Sequence, residues 1–196
     1  MTFSFLSFSQ KNEKLKVGAE RTELFLNDIK DKNVAIVANL TSIIKSQNSS
    51  IHLIDSLIKL NIKVKKVFSP EHGFRGEADA GEKVEDGKDN KTGLPIISLH
   101  GSNKKPTKDH LNNIDIVIFD IQDVGARFYT YISTLHYIME AVAENNKELI
   151  ILDRPNPNGH YIDGPVLEKQ FQSFVGMHPV PIVHGMTIGE FGIMIN

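Results

Sequence analysis

Runs of β-branched and other apolar residues recur along this chain, and most are separated by segments whose apolar residues fall three and four apart. Asn33–Asn39 (NVAIVAN) is continuous in β-branched residues and alanine, the pattern of a strand buried on both faces. Ile62–Phe68 (IKVKKVF), Leu94–His100 (LPIISLH), Ile114–Asp120 within LNNIDIVIFDIQ, and Glu148–Asp153 within KELIILDRPNPNG read as four more strands. Helical spacing runs through Glu20–Lys30, with Thr22 as a possible cap, through Ser49–Asn61 with serine caps, and through Phe128–Asn146. Thr187 and Glu190 have the spacing of a capping box, so a further helix opens there and the chain stops after about two turns. Buried strands alternating with helices leave little choice. The expected fold is α/β, a mainly parallel sheet with helices on both faces.

Composition narrows the function. The 196 residues contain no cysteine, which removes disulfides, thiolate nucleophiles and zinc-thiolate sites. A net charge of -2 gives no reason to expect nucleic acid or an anionic membrane as partner. No apolar run approaches the ~18 residues of a membrane span. No G-x-G-x-x-G or P-loop is present, so a nucleotide site has no support. Residues 1–16 carry Phe3, Phe5, Leu6 and Phe8 with no preceding basic residue, and read as a disordered start or a clipped export signal. Residues 17–196 then form one domain, cut at the start of a helix, the expected mark of a shortened version of a longer protein.

In an open α/β sheet ligands bind beyond the carboxyl ends of the strands. Asn39, Thr41 and Ser42 follow the first strand, and SPEHGFRGE (Ser69–Glu77) follows the second. His100 and Gly101 follow the third, DIQDVGARFYTY (Asp120–Tyr131) the fourth, and DRPNPNG (Asp153–Gly159) the fifth. Glu71 is the sharpest candidate, because a carboxyl just past a buried strand can be desolvated and so serve as a general acid. Asp120 and Asp123 are candidate partners; each can equally cap a helix or orient a neighbour. Four of the 22 basic residues are arginines, and three of them, Arg75, Arg127 and Arg154, lie in these loops. Arg127 and Arg154 either grip an anionic group bidentately or form internal ion pairs with Asp120, Asp123 or Asp153. Tyr129 and Tyr131 are two apart, so one packs while the other can line a cleft. His72 and His100 lack the spacing of a metal pair, and no metal is expected. His52 and His136 read as structural, and His184 as either structural or functional.

The segments SPEHGFRGEADAGEKV, TGLPIISLHG, IDIVIFDIQDVGARFYTYISTL, LDRPNPNG with GPVLE, and SFVGMHPVPIVHGMTIGE resemble the bacterial exo-β-N-acetylmuramidase family, the NamZ-type glycoside hydrolases. The resemblance runs in register from about Val17 to Asn196. It implies a Rossmann-like domain followed by a smaller C-terminal domain that this chain lacks, with the cleft between them. It also implies release of terminal N-acetylmuramic acid from peptidoglycan fragments, with Glu71 as the catalytic acid and no cofactor. The second group is Glu77, Asp120 or Asp123, or the substrate's own acetamido group. The expected saccharide-binding set is Asn39, His72, Arg75, Glu77, Gln122, Arg127, Tyr129, Asp153, Arg154 and Asn156, with one arginine of Arg75, Arg127 and Arg154 on the lactyl carboxylate. Peptidoglycan chemistry favours the cell envelope, although no intact export signal is visible. The rival readings are a carbohydrate-binding domain that does not turn its ligand over and a metal-dependent hydrolase.

Overall fold

The computed structural model describes residues 15–46, 49–75 and 86–196. Its core is a six-stranded sheet. Strands β1 (Asn33–Ala38), β4 (Lys63–Ser69), β6 (Pro95–Ser98), β7 (Ile116–Asp120) and β8 (Glu148–Ile151) are parallel, and the short β5 (Gly87–Lys88) pairs antiparallel at one edge. The order is β5-β6-β4-β1-β7-β8. The chain thus builds outward from β1 in one direction through β4 and β6, then returns to place β7 and β8 on its other side. The reversal between β4 and β7, on either side of β1, is a topological switch point, where loops diverge and leave a crevice beyond the carboxyl ends.

Alternation along the strands divides the core into two layers. Val34, Ile36 and Ala38 face helices α1 (Leu26–Ile29) and α2 (Leu53–Lys59), whose Ile29, Leu53, Ile54 and Leu57 are buried with them. Ala35 and Val37 face α3 (Tyr131–Glu144) and α4 (Ile188–Ile195), meeting Leu135, Ile138 and Phe191. All five residues of β7 are buried, as expected for a central strand covered on both sides. The parallel sheet with helices on both faces is therefore present as the sequence predicts.

Four local readings need correction. The expected helix over Glu20–Lys30 is two 3-10 turns, Gly18–Glu20 and Thr22–Leu24, followed by the single turn of α1. Thr22 starts a 3-10 turn and does not cap a helix. The Glu20 carboxylate accepts from the Val17 and Lys45 amides. The segment Ser49–Asn61 is not all helix, because a two-stranded hairpin of β2 (Ile43–Lys45) and β3 (Ser50–His52) precedes α2. The α2 cap is His52, not a serine: His52 Nδ1 accepts from the Ile54 amide at 3.3 Å, and Nε2 meets the Asn39 carbonyl at 3.0 Å. Burial pulls the His52 pKa down, so the ring stays neutral and bridges β1 to α2. At α4 the capping box forms as read, with Thr187 and Glu190 each accepting the other's amide.

Candidate active site

The β4 strand ends at Ser69, and Pro70 stops the ladder. His72 and Gly73 then take φ of 72° and 78°, left-handed backbone that closes a tight turn with the Gly73 amide 3.3 Å from the Pro70 carbonyl. The turn sets Glu71 beside the start of α3, where Thr130 Oγ1 donates to Glu71 Oε2 at 3.3 Å. Glu71, His72, Phe128, Tyr129, Thr130 and Tyr131 line a cleft of about 310 Å³. Phe128 and Tyr129 are exposed, with ring centroids 5.7 Å apart. The cleft thus carries two exposed aromatic rings, tilted by 37° to one another, and a carboxyl, groups able to contact a sugar face and its ring substituents.

Behind this cleft lies a buried polar group of residues. Asn39, Asp123 and His184 are all buried. Asn39 Oδ1 accepts from the amide and hydroxyl of Thr41, but among the described residues Asn39 Nδ2 has no hydrogen-bond partner. Asp123 Oδ2 accepts from the Gly125 amide at 2.7 Å, while Asp123 Oδ1 has no partner among them. His184 Nδ1 accepts from the Met186 amide, which leaves the other ring nitrogen, Nε2, as the donor of the neutral ring. That atom faces Asp123 Oδ2 at 3.7 Å, too far for a hydrogen bond, and has no other partner among the described residues. Unpaired buried polar atoms are costly in a finished core, so their concentration here makes this a candidate site. Tyr131 joins the two zones. It lines the cleft, and its phenol lies near Glu71, Asp123 and Asn39. Burial pushes its pKa up.

The other candidates brace the loops against one another. Asp120 is fully buried and takes Arg154 bidentately, Nε to Oδ1 at 2.7 Å and Nη2 to Oδ2 at 3.0 Å. Asp153 Oδ1 accepts from the Gly189 amide and Oδ2 from the Thr187 hydroxyl, each at 2.8 Å, which fastens the start of α4. Gln122 Nε2 donates to the Asp123 and Pro155 carbonyls, and Asn156 Nδ2 to the Met186 carbonyl. Gly125, at φ 74°, leaves the space of a Cβ to the Asn156 side chain. Arg75 is held by Asp89 and Asp55, with Nε and Nη2 2.8 Å from Asp89 and Nη2 2.9 Å from Asp55. Its guanidinium holds the Asp89 carboxyl well below the usual range. Arg127 Nη1 donates to the Pro165 and Val180 carbonyls. Glu77 lies outside the described residues. Among the described residues no cluster of three His, Asp or Glu side chains could hold a metal ion, and no helix is long and apolar enough to cross a membrane.

Of the residues named from sequence, Glu71, His72 and Tyr129 meet at the cleft, and Asn39 and Asp123 lie behind it. Phe128 and Thr130 were missed as cleft residues, Tyr129 and Tyr131 were expected to divide packing and cleft between them whereas both line the cleft, and His184 was left undecided. Helix phase was the available signal for Tyr131: α3 begins there, so its ring starts the face that carries Leu135 and Ile138 into the core.

The fold and site define a doubly wound α/β protein with an acid-bearing cleft at the switch point of its sheet. The chain belongs to the family described as exo-β-N-acetylmuramidase NamZ, N-terminal, whose model matches residues 34–196. It is similar to the peptidoglycan β-N-acetylmuramidase NamZ of Bacillus subtilis (strain 168), 47% identical over 173 residues, or 88% of this chain and 41% of that protein. Two crystal structures of DUF1343 family proteins from Bacteroides fragilis NCTC 9343 share the fold. One has a TM-score of 0.80 at 45% identity over 93% of this chain, the other 0.82 at 41% identity over 92%. The chain spans 47% and 45% of those two proteins, so it corresponds to less than half the length of each relative.

Proposed function

We propose that this chain carries the acid-bearing part of an exo-acting glycoside hydrolase site that releases terminal N-acetylmuramic acid from peptidoglycan fragments. The observation that carries the reading is Glu71, set by a strained turn at the mouth of the cleft, opposite Phe128 and Tyr129. In this reading a sugar ring stacks on the aromatic pair, and Glu71 gives its proton to the glycosidic oxygen as the bond to the anomeric carbon breaks. Asp123, with one oxygen unpartnered among the described residues, is the second carboxyl. It either stabilises positive charge at the anomeric carbon or holds the group that attacks there. Asp120 and Arg154 serve as the frame beneath. Among the described residues Arg75 and Arg154 are engaged bidentately by carboxylates, whereas the Arg127 guanidinium donates only through Nη1, to carbonyls; having no carboxylate partner there, Arg127 is the arginine we assign to the lactyl carboxylate. The substrate class comes from the B. subtilis relative, which is named for that activity.

The test is hydrolysis of a chromogenic N-acetylmuramide by this chain and by Glu71→Gln. Removing a general acid costs about 10²–10⁴-fold, so turnover in the parent that falls by at least 10² supports the reading. Turnover unchanged in Glu71→Gln removes Glu71 from the chemistry. Saccharide binding without turnover, unaffected by Glu71→Gln, would instead mark a carbohydrate-binding domain.

A further inference from the structure

We propose that Tyr131 is a substrate-contacting residue of this cleft, its hydroxyl donating to the bound sugar between Glu71 and Asp123. This deepens the glycosidase reading and rests on it. The ring of Tyr131 packs against the core layer shared by α3 and α4, which fixes its direction, while its edge lines the same cleft as Glu71. Among the described residues the Tyr131 hydroxyl has one side-chain neighbour able to pair with it, the Asn39 amide, which lies close enough to pull the phenol pKa down as a hydrogen-bond donor does yet stays outside hydrogen-bonding distance. Among those residues Asn39 Nδ2 therefore keeps no acceptor, and Asp123 Oδ1 no donor.

The Tyr131 hydroxyl thus belongs to a residue that lines the cleft, with one Asn39 nitrogen and one Asp123 oxygen buried behind it and unpartnered among the described residues. A hydroxyl or acetamido substituent of a pyranose ring offers the acceptor that the phenol requires. Water can fill these positions when the cleft is empty, and a sugar that replaces it keeps the hydrogen bonds. Burial and the neighbouring carboxyls hold the phenol protonated through neutral pH, so it is a donor throughout. A neutral donor beside two carboxyl groups can bind a sugar oxygen without competing for the proton that Glu71 delivers.

Tyr131→Phe removes one oxygen and leaves the packed ring, so the fold is retained; Tyr137→Phe, on the α3 face stacked on Phe174, is the control. On the chromogenic N-acetylmuramide, Tyr131→Phe is expected to lose about tenfold or more in kcat/KM, the scale of one lost hydrogen bond to a charged or reacting partner. A value within twofold of the parent overturns the proposal. If the folded parent shows no turnover, the hydrolase reading fails for this chain, and free N-acetylmuramic acid followed by NMR shift titration decides the matter. Binding weakened at least fivefold in Tyr131→Phe supports the contact. Equal binding, or none by the parent, overturns it.

Discussion

Asp120→Asn is the sharpest test of how the site is built. The substitution keeps the volume and one acceptor of the side chain but removes its charge. Asp120 is 0% exposed and Arg154 7%, and their two hydrogen bonds are 2.7 and 3.0 Å long. With the carboxylate gone, a buried guanidinium has no counter-ion. Its remaining contact to the Ile43 carbonyl is 3.4 Å, too weak to replace it. Breaking one side of such a pair costs about 3–5 kcal/mol, a large part of the roughly 5–15 kcal/mol that holds a domain folded. With a urea m-value near 2 kcal/mol/M, the midpoint should fall by about 1.5–2.5 M. The assay is equilibrium urea unfolding followed by far-UV circular dichroism. The double variant Asp120→Asn with Arg154→Met removes both charges and should recover much of the loss, since a neutral pair leaves no buried ion. A cost below about 1 kcal/mol for the single variant, or a double variant worse than either single, would refute the reasoning. If Asp120 were instead a reacting group, the single variant would abolish turnover while the midpoint stayed in place.

Acid stability should depend on the Arg75 cluster. Hydrogen bonding and charge from Arg75 and Lys91 depress Asp55, and Arg75 with Thr92 depresses Asp89. A carboxyl with a depressed folded pKa contributes stability above its unfolded pKa of about 3.9 and loses it as pH falls further. Thermal midpoints should therefore drop below about pH 4, and Arg75→Leu should lower the midpoint at neutral pH and flatten that acid slope; an identical slope in the variant argues against the cluster. Arg127→Leu should reduce turnover of N-acetylmuramides more than of N-acetylglucosaminides, and equal losses would show that the guanidinium only braces the Pro165 and Val180 loops.

The sheet was legible because β1 and β7 are runs of β-branched and other apolar residues too apolar to lie anywhere but inside. Val34–Ala38 and Ile116–Phe119 have no other place in a chain of this size. The hairpin of β2 and β3 was not legible. Three residues on each side carry no usable period, and Ile51, His52 and Leu53 blend into the helix that follows. The two-residue β5 is shorter still. At the site, the loops that bear chemistry could be found by following each strand to its carboxyl end. Which polar residue faces a ligand and which faces a neighbouring loop could not. The same chemistry that makes an Asp–Arg pair good at gripping substrate makes it good at gripping itself, as Asp120 and Arg154 do. Only the partner, 34 residues away in sequence, distinguishes the two uses.

Asp153 and Arg154 are adjacent in sequence, yet they fasten opposite parts of the molecule. Arg154 reaches the buried end of β7, while Asp153 accepts from the Gly189 amide and the Thr187 hydroxyl at the start of α4 and, through its own carbonyl, from the amide of Gly18. The start of α4 therefore cannot open on its own. Freeing the Gly189 amide to exchange with solvent means releasing Asp153, and with it the backbone that positions Arg154. In hydrogen-exchange terms, the beginning of the last helix and the carboxyl end of the central strands form one cooperative unit, although nearly 70 residues of chain separate them.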